Sequence, residues 1–406
     1  MFTLGSFKRP ANRERAFGEA VAGLAQRYGL VAMVAVAIVY GSLYPFAFHA
    51  AGSLAADVSH FAATWRQPPQ SRGDLLANLL LYMPLGFAAT LVFDKDNKFA
   101  TVFALVAGGL LSLAMELAQF YDAGRYSAFS DVYLNITGTA SGAVFAWIWG
   151  ARPRMAWPAN GSAAFARILL IAWLGWQLFP YEPTIDMQKY WRAVAPLFFD
   201  FRAGPQVFAR YTIFWLSAIF MVQTGFAPKN LLRFLLIGIG IYFAAKIVII
   251  GQSLYGPEIA GAGVALILTP FVLRRFHAIG IPLLAALLLA VIVLTKLLPW
   301  HSVTAPNTFQ WIPFFGFLQG SLQRDIIAFW QKTYLFGALL LVLEKAGMKL
   351  GVAVMLECMI LLATSMVQIL MAGRPAEITD ALMALGLALL YFLLRNRFRE
   401  GAGAAA

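Results

Sequence analysis

The sequence has one cysteine and four histidines in 406 residues. Cys358 lies in an apolar stretch with no second thiol to meet, so an intrachain disulfide is excluded. His49, His60, His277 and His301 are scattered without the spacing of metal ligands, and no metal or other cofactor is expected. Charge is scarce as well. Asp, Glu, Lys and Arg make up 12% of the chain, against about 25% in an ordinary globular domain. That shortage excludes a soluble enzyme and a disordered chain, and no nucleophile motif stands out.

Apolar residues are what the chain has instead. They fill 61% of it, with a mean hydropathy of +0.72, and they fall in runs of roughly 20 residues, the length that crosses a bilayer as a helix. The sequence therefore predicts an all-α, polytopic integral membrane protein of about twelve transmembrane helices. The expected spans are 29–48, 74–93, 99–121, 131–150, 164–181, 206–226, 231–252, 259–274, 279–299, 323–343, 350–371 and 379–395.

The net charge of +12 has two readings, nucleic-acid binding or orientation in a membrane. With the N-terminus in the cytoplasm, nineteen of the 31 basic residues but only six of the 19 acids fall in inner segments. The surplus is thus a positive-inside signal, and no nucleic-acid partner is needed to explain it. The expected location is the bacterial inner (cytoplasmic) membrane, with a basic cytoplasmic tail over 1–28 and a second over 396–406. The first apolar run starts too late and is too long for a cleaved signal peptide. Three outer loops are long, about 49–73, 182–205 and 300–322. Two of them are rich in aromatics, a composition suited to the membrane interface.

These loops recur at similar intervals, which points to an internal repeat. A Leu-x-Pro-aromatic string opens each one: Leu43-Tyr44-Pro45-Phe46, Leu178-Phe179-Pro180-Tyr181 and Leu297-Leu298-Pro299-Trp300. A glutamine ends the third helix of each copy, at Gln119, Gln252 and Gln368, so that the Pro-to-Gln separations are 74, 72 and 69. Copies one and three match further, because Gln119, Arg125 and Asp131 reappear with the same spacing as Gln368, Arg374 and Asp380. The middle copy has Glu258 and Val264 at the last two positions. The architecture expected is three parallel four-helix units: unit 1 over 29–150, a degenerate unit 2 over 151–278 and a divergent unit 3 over 279–395. Four is even, so the units share one orientation in the membrane.

In unit 1 the polar residues form stripes. Asp74, Asn78 and Tyr82 repeat at i, i+4, i+8 on the second helix. Glu116 and Gln119 share a face of the third, with Ser112 a turn below. Asp131, Asn135 and Thr139 line the fourth, and Arg125 lies in the loop between. An ionised group in hydrocarbon costs at least ~2.5 kcal/mol on insertion scales, so such stripes turn inward and face one another. Gly138 and Gly142 make a small-residue seam for close packing. Pro84 frees the Leu80 carbonyl, which would add an acceptor to the same cavity. The plainer alternative is structural. Ser130 or Asp131 would then be the N-cap of the fourth helix, and Arg125 an ion-pair partner of Asp131 or Glu116. In the other units Lys332 lies 33 residues after Pro299, as Asn78 lies 33 after Pro45, and Arg210 lies 30 after Pro180. Lys332 implies an anion site or an ion pair with another unit. Snorkelling to the surface is the alternative for both cations. Lys246, Glu357 and Glu377 are further charges in or beside spans.

Four ordered strings of unit 1 resemble the VanZ-like family of membrane proteins, named for a teicoplanin-resistance protein. They are Ser42-Leu43-Tyr44-Pro45-Phe46; Asp74-x3-Asn78-x5-Pro84-x-Gly86; Glu116-x2-Gln119; and Gly124-Arg125 followed by Asp131-x3-Asn135-x2-Gly138. Residues 290–395 resemble a divergent copy with Ser365 in place of Glu116 and Ala384 in place of Asn135. The resemblance implies a cell-envelope protein associated with resistance to a lipoglycopeptide that acts outside the membrane, and it supplies no catalytic assignment.

Four functions fit. The first is binding of an anionic envelope lipid, such as a polyprenyl phosphate or lipid-linked glycan, in an outer-leaflet cavity. Its ligand residues would be Asn78, Glu116, Gln119, Arg125, Asp131 and Asn135, joined by Lys332, Gln368, Arg374 and Asp380. The second is an enzyme on such a lipid, with Glu116 or Asp131 as general base and Asp74 as partner. The third is a secondary transporter, for which Lys246, Glu357 and Pro84 speak. The fourth is a scaffold for envelope-assembly proteins.

Overall fold

The computed structural model describes residues 28–44, 46–48, 59, 61–66, 72–92, 98–122, 127–151, 160–199, 204–275, 277–319 and 322–403. The chain is all-helical, with no strand among these residues. Twelve long helices run in chain order: α1 (Tyr28–Leu43), α2 (Arg72–Val92), α3 (Lys98–Gln119), α4 (Phe129–Ala151), α5 (Gly161–Gln177), α6 (Pro205–Phe226), α7 (Leu231–Val248), α8 (Gly256–Pro270), α9 (His277–Leu297), α10 (Leu322–Lys345), α11 (Leu350–Val367) and α12 (Thr379–Gly403). Each expected span overlaps one of them. Among the described residues eight helices are long and apolar enough, by length and composition, to cross a membrane. The 23-residue α4 is long enough, but Asp131, Asn135, Thr137, Thr139 and Ser141 dilute its apolar character.

Boundaries differ from expectation where a polar or proline residue follows the apolar run. Helix α1 stops at Leu43 rather than 48, and α5 at Gln177 rather than 181, because the residue before a proline is pushed out of the helical region. Phe46 and Tyr181, each directly after its loop proline, take left-handed backbone (φ 63° and 64°). Helix α7 ends at Val248, so Gln252 sits beyond it in the loop rather than closing it. Residues expected as a tail after 395 continue α12 to Gly403. After Pro270, α8 widens into a π turn over Phe271–Arg275.

Two compact bodies are formed, Met1–Ala156 and Trp157–Ala406. In the N-terminal body α2 and α4 touch backbone to backbone. A β-carbon on Gly86 would overlap the Thr139 carbonyl oxygen, one on Gly138 that of Leu79, and one on Gly142 that of Met83. Only glycine permits this approach. In the C-terminal body α5–α12 share one core. Helix α10 is buried all round from Thr333 to Leu343, as a helix enclosed by others should be, and its Tyr334 shares a hydrogen bond with Ser217 of α6 (2.6 Å).

One local device recurs three times. The side-chain amide of Gln119 donates to the Ser42 carbonyl (2.7 Å), that of Gln252 to the Phe179 carbonyl (2.5 Å) and that of Gln368 to the Lys296 carbonyl (3.1 Å). Each acceptor lies one or three residues before a loop proline. Just beyond, single antiparallel backbone pairings join Phe48 to Asp122, Pro183 to Ile249 and Ser302 to Met371. With the helices taken in fours along the chain, as the first set (α1–α4), the middle set (α5–α8) and the third set (α9–α12), a glutamine at or just beyond the end of each set's third helix thus latches the end of its first.

Candidate functional site

In the N-terminal body the three expected stripes face inward. On α2, Asn78 is half-buried and Tyr82 fully buried, while Asp74 falls in the helix's first turn. Ser112 and Glu116 of α3 and Asn135 and Thr139 of α4 are all buried. The Asn135 amide donates to the Ser112 hydroxyl (2.9 Å) and so joins α4 to α3. Its carbonyl oxygen is buried and has no hydrogen-bond partner among the described residues. The hydroxyls of Ser127 and Ser130 and one carboxylate oxygen of Asp122 are in the same state. Buried polar atoms are nearly always paired, so each unpaired one is an atom that another group can satisfy.

Two expectations are corrected here. Pro84 and Leu80 lie on the exposed face of α2, so the freed carbonyl points away from Tyr82 and adds nothing to the cavity. The N-terminus of α4 is not capped by Ser130 or Asp131, which lie inside its first turn. Two distant side chains hold it instead. The Glu116 carboxylate accepts from the Ala128 amide (3.1 Å) and the Thr64 hydroxyl from the Phe129 amide (2.8 Å). Glu116 therefore spends one oxygen on the loop that opens α4. Asp131, relieved of capping, is half-buried at the head of the polar stripe and makes interactions of its own. Arg125 lies outside the described residues.

Asp122 was not singled out by the sequence reading. It is buried, and its other carboxylate oxygen accepts from the Ala47 amide (3.1 Å). Its signal was its place, three residues after the latch glutamine and opposite the loop that follows α1.

Residues 279–395 fill the corresponding positions differently. Counting from the latch glutamine, Ser112, Glu116, Asn135 and Thr139 become Leu361, Ser365, Ala384 and Ala388, all buried. Asp380 remains, and two lysines close on it. Lys332 approaches one oxygen at 2.7 Å and Lys296 contacts the other. Lys332 also lies 3.8 Å from Glu377 and 4.9 Å from the centre of the Phe317 ring. Glu377 in turn accepts from the Gly316 amide (3.1 Å). The ion pair expected of Lys332 is thus made within its own four-helix set, and its charge is neutralised there rather than offered to another unit. Arg374 donates to the Leu298 carbonyl (2.7 Å) and Gln368 serves the latch. Lys296 was missed because a basic residue near a helix end reads as snorkelling. The repeat pointed to it, since position three before the loop proline is polar in every copy: Ser42, Gln177 and Lys296.

In the middle set Lys246 and Glu258 form a fully buried ion pair (2.7 Å), with Tyr242 donating to the same carboxylate. Lys246 is therefore engaged by Glu258 within its own set. Lys189, in the short helix Met187–Val194 between α5 and α6, donates to the Lys246 and Ile247 carbonyls at the end of α7, and burial lowers its ammonium pKa from the ordinary value. Arg210 is exposed. Glu357 is buried in α11 with one oxygen unpartnered.

No curated protein and no solved structure matches the chain. A family model, VanZ/LLP1, matches residues 26–150, the stretch that holds α1–α4 and their polar stripes. The protein is an all-α multipass membrane protein whose N-terminal four-helix set is similar to the VanZ/LLP1 family.

Proposed function

We propose that the VanZ-like domain binds the head group of an anionic envelope lipid, such as a polyprenyl phosphate or lipid-linked glycan, between α2, α3 and α4. The observation that carries this reading is the buried, unpartnered carbonyl oxygen of Asn135 beside Ser112. Packing alone has no need of it, since the third set places Ala384 and Leu361 at these positions and keeps them buried. A head group rich in hydroxyls supplies the missing donor. Arg125, in the loop between α3 and α4, is the residue for the phosphate, because guanidinium matches phosphate oxygens in a bidentate fork. The positive-inside distribution of Lys and Arg supports a site facing the outer leaflet of the inner membrane, with both termini cytoplasmic.

The test is mass spectrometry of lipids that copurify with the full chain from bacterial membranes. One phosphate-bearing lipid should be retained by the wild type and fall by about tenfold or more in Arg125→Ala, as loss of a charge-assisted hydrogen bond predicts. A wild-type protein that carries only bulk lipid in bulk proportions would sink the reading.

A further inference from the structure

The third set shows which side chains stand at the corresponding positions when the charges are paired within the chain. Lys296 stands where Ser42 stands: each lies three residues before the loop proline, and each offers its carbonyl to the latch glutamine. Lys332 stands where Asn78 stands, 33 residues after that proline. Asp380 stands where Asp131 stands, 12 residues after the glutamine and in the first turn of the fourth helix. Both lysine ammonium groups close on the Asp380 carboxylate. In the first set neither lysine exists. Ser42 is buried, Asn78 and Asp131 are half-buried, and the acidic character of the position is kept.

We infer that the place of the two lysine ammonium groups is taken, in the first set, by an ammonium group that the ligand carries to Asp131, between the positions of Ser42 and Asn78. The inference rests on the phosphate-binding part of the lipid reading and modifies it on charge, since an ammonium offsets one phosphate charge of the head group. The head group has a phosphate, for Arg125, and a primary amine, for Asp131. A carboxylate offers about four lone-pair positions, so Asp131 can take an ammonium beside the interactions it already makes. The Asn78 carbonyl and Ser42 hydroxyl oxygens match the remaining N–H donors of a primary ammonium. A quaternary ammonium has no N–H to offer, and a glycerol head has no positive charge.

The experiment compares three phospholipids with identical acyl chains, phosphatidylethanolamine, phosphatidylcholine and phosphatidylglycerol, retained by the full chain in native mass spectrometry. The wild type should hold the ethanolamine lipid over the other two by about tenfold, the scale of one charge-assisted hydrogen bond. Asn78→Lys and Ser42→Lys each import one lysine of the third set, on different helices. Each should cut ethanolamine-lipid retention by about tenfold and leave the glycerol lipid unchanged or raised. Equal retention of the three lipids by the wild type overturns the inference whatever the variants do, and so does wild-type ethanolamine preference in both lysine variants. Arg125→Ala separates the two readings. If it lowers all three lipids alike and no amine preference exists, lipid binding stands and the ammonium site falls. If no lipid is held better by the wild type than by Arg125→Ala, lipid binding falls as well.

Discussion

In the first four-helix set, α4 carries Asp131 into its first turn and continues along a buried face through Asn135 and Thr139. In the third, α12 carries Asp380 at the same place and continues through Ala384 and Ala388. Around both, a glutamine at the end of the third helix holds the end of the first by one hydrogen bond. The frame is common and the filling is not. Apolar side chains and an internal ion cluster are sufficient to close such a frame, so the polar line of the first set is not a requirement of folding. Replacing buried polar groups by apolar ones is often neutral or stabilising, which makes their presence in the first set the feature to explain.

The comparison can be broken most sharply at Asp380. In Asp380→Asn the Lys296 and Lys332 ammonium groups lose the carboxylate that holds them both, and only Glu377 remains, 3.8 Å from Lys332. The expected loss is about 3–5 kcal/mol, as for other buried pairs with one partner removed, measured by denaturant unfolding in detergent. A change below about 1 kcal/mol would mean that the cluster is solvated and does not close the third set.

Helix contact gives the next largest effect. Gly142→Ala forces the α2 and α4 backbones apart and should cost about 1–3 kcal/mol, whereas Gly386→Ala in α12, with open space around its β-carbon, should be neutral or stabilising. Similar unfolding midpoints for the two variants would show that the close α2–α4 crossing is not special to the first set. The smallest effect is the one the sets share. Gln119→Leu and Gln368→Leu each remove a single latch hydrogen bond and should each lower stability by about 1 kcal/mol. A loss in one and none in the other would argue against a common frame.

Much of the fold was legible in the sequence because hydropathy is a local property. Spans, their order and the recurrence of Pro and Gln could all be counted, and the glycine seam of α4 was visible in Gly138 and Gly142. The candidate site was legible only as a set of faces. Stripe spacing brought Asn78, Glu116, Asn135 and Thr139 inward correctly, but it misread Leu80 and Pro84, whose face of α2 turns outward. It also assigned the start of α4 to a local cap, when the donors there are satisfied from Thr64 and Glu116, 65 and 12 residues away. Capping rules look only at neighbours in sequence, and these acceptors come from other segments.

The sequence by itself determined that this is an all-helical membrane protein, and where its helices lie, because lipid forces each apolar segment to satisfy its own backbone hydrogen bonds. It determined as well which positions carry the few polar groups. Only the tertiary structure decided which of those groups are consumed by one another. Lys332 and Lys296 are spent on Asp380, Lys246 on Glu258, and Glu116 on the loop before α4, while Asn135 keeps an acceptor unspent. Pairing depends on distance between helices, which spacing along the chain does not encode.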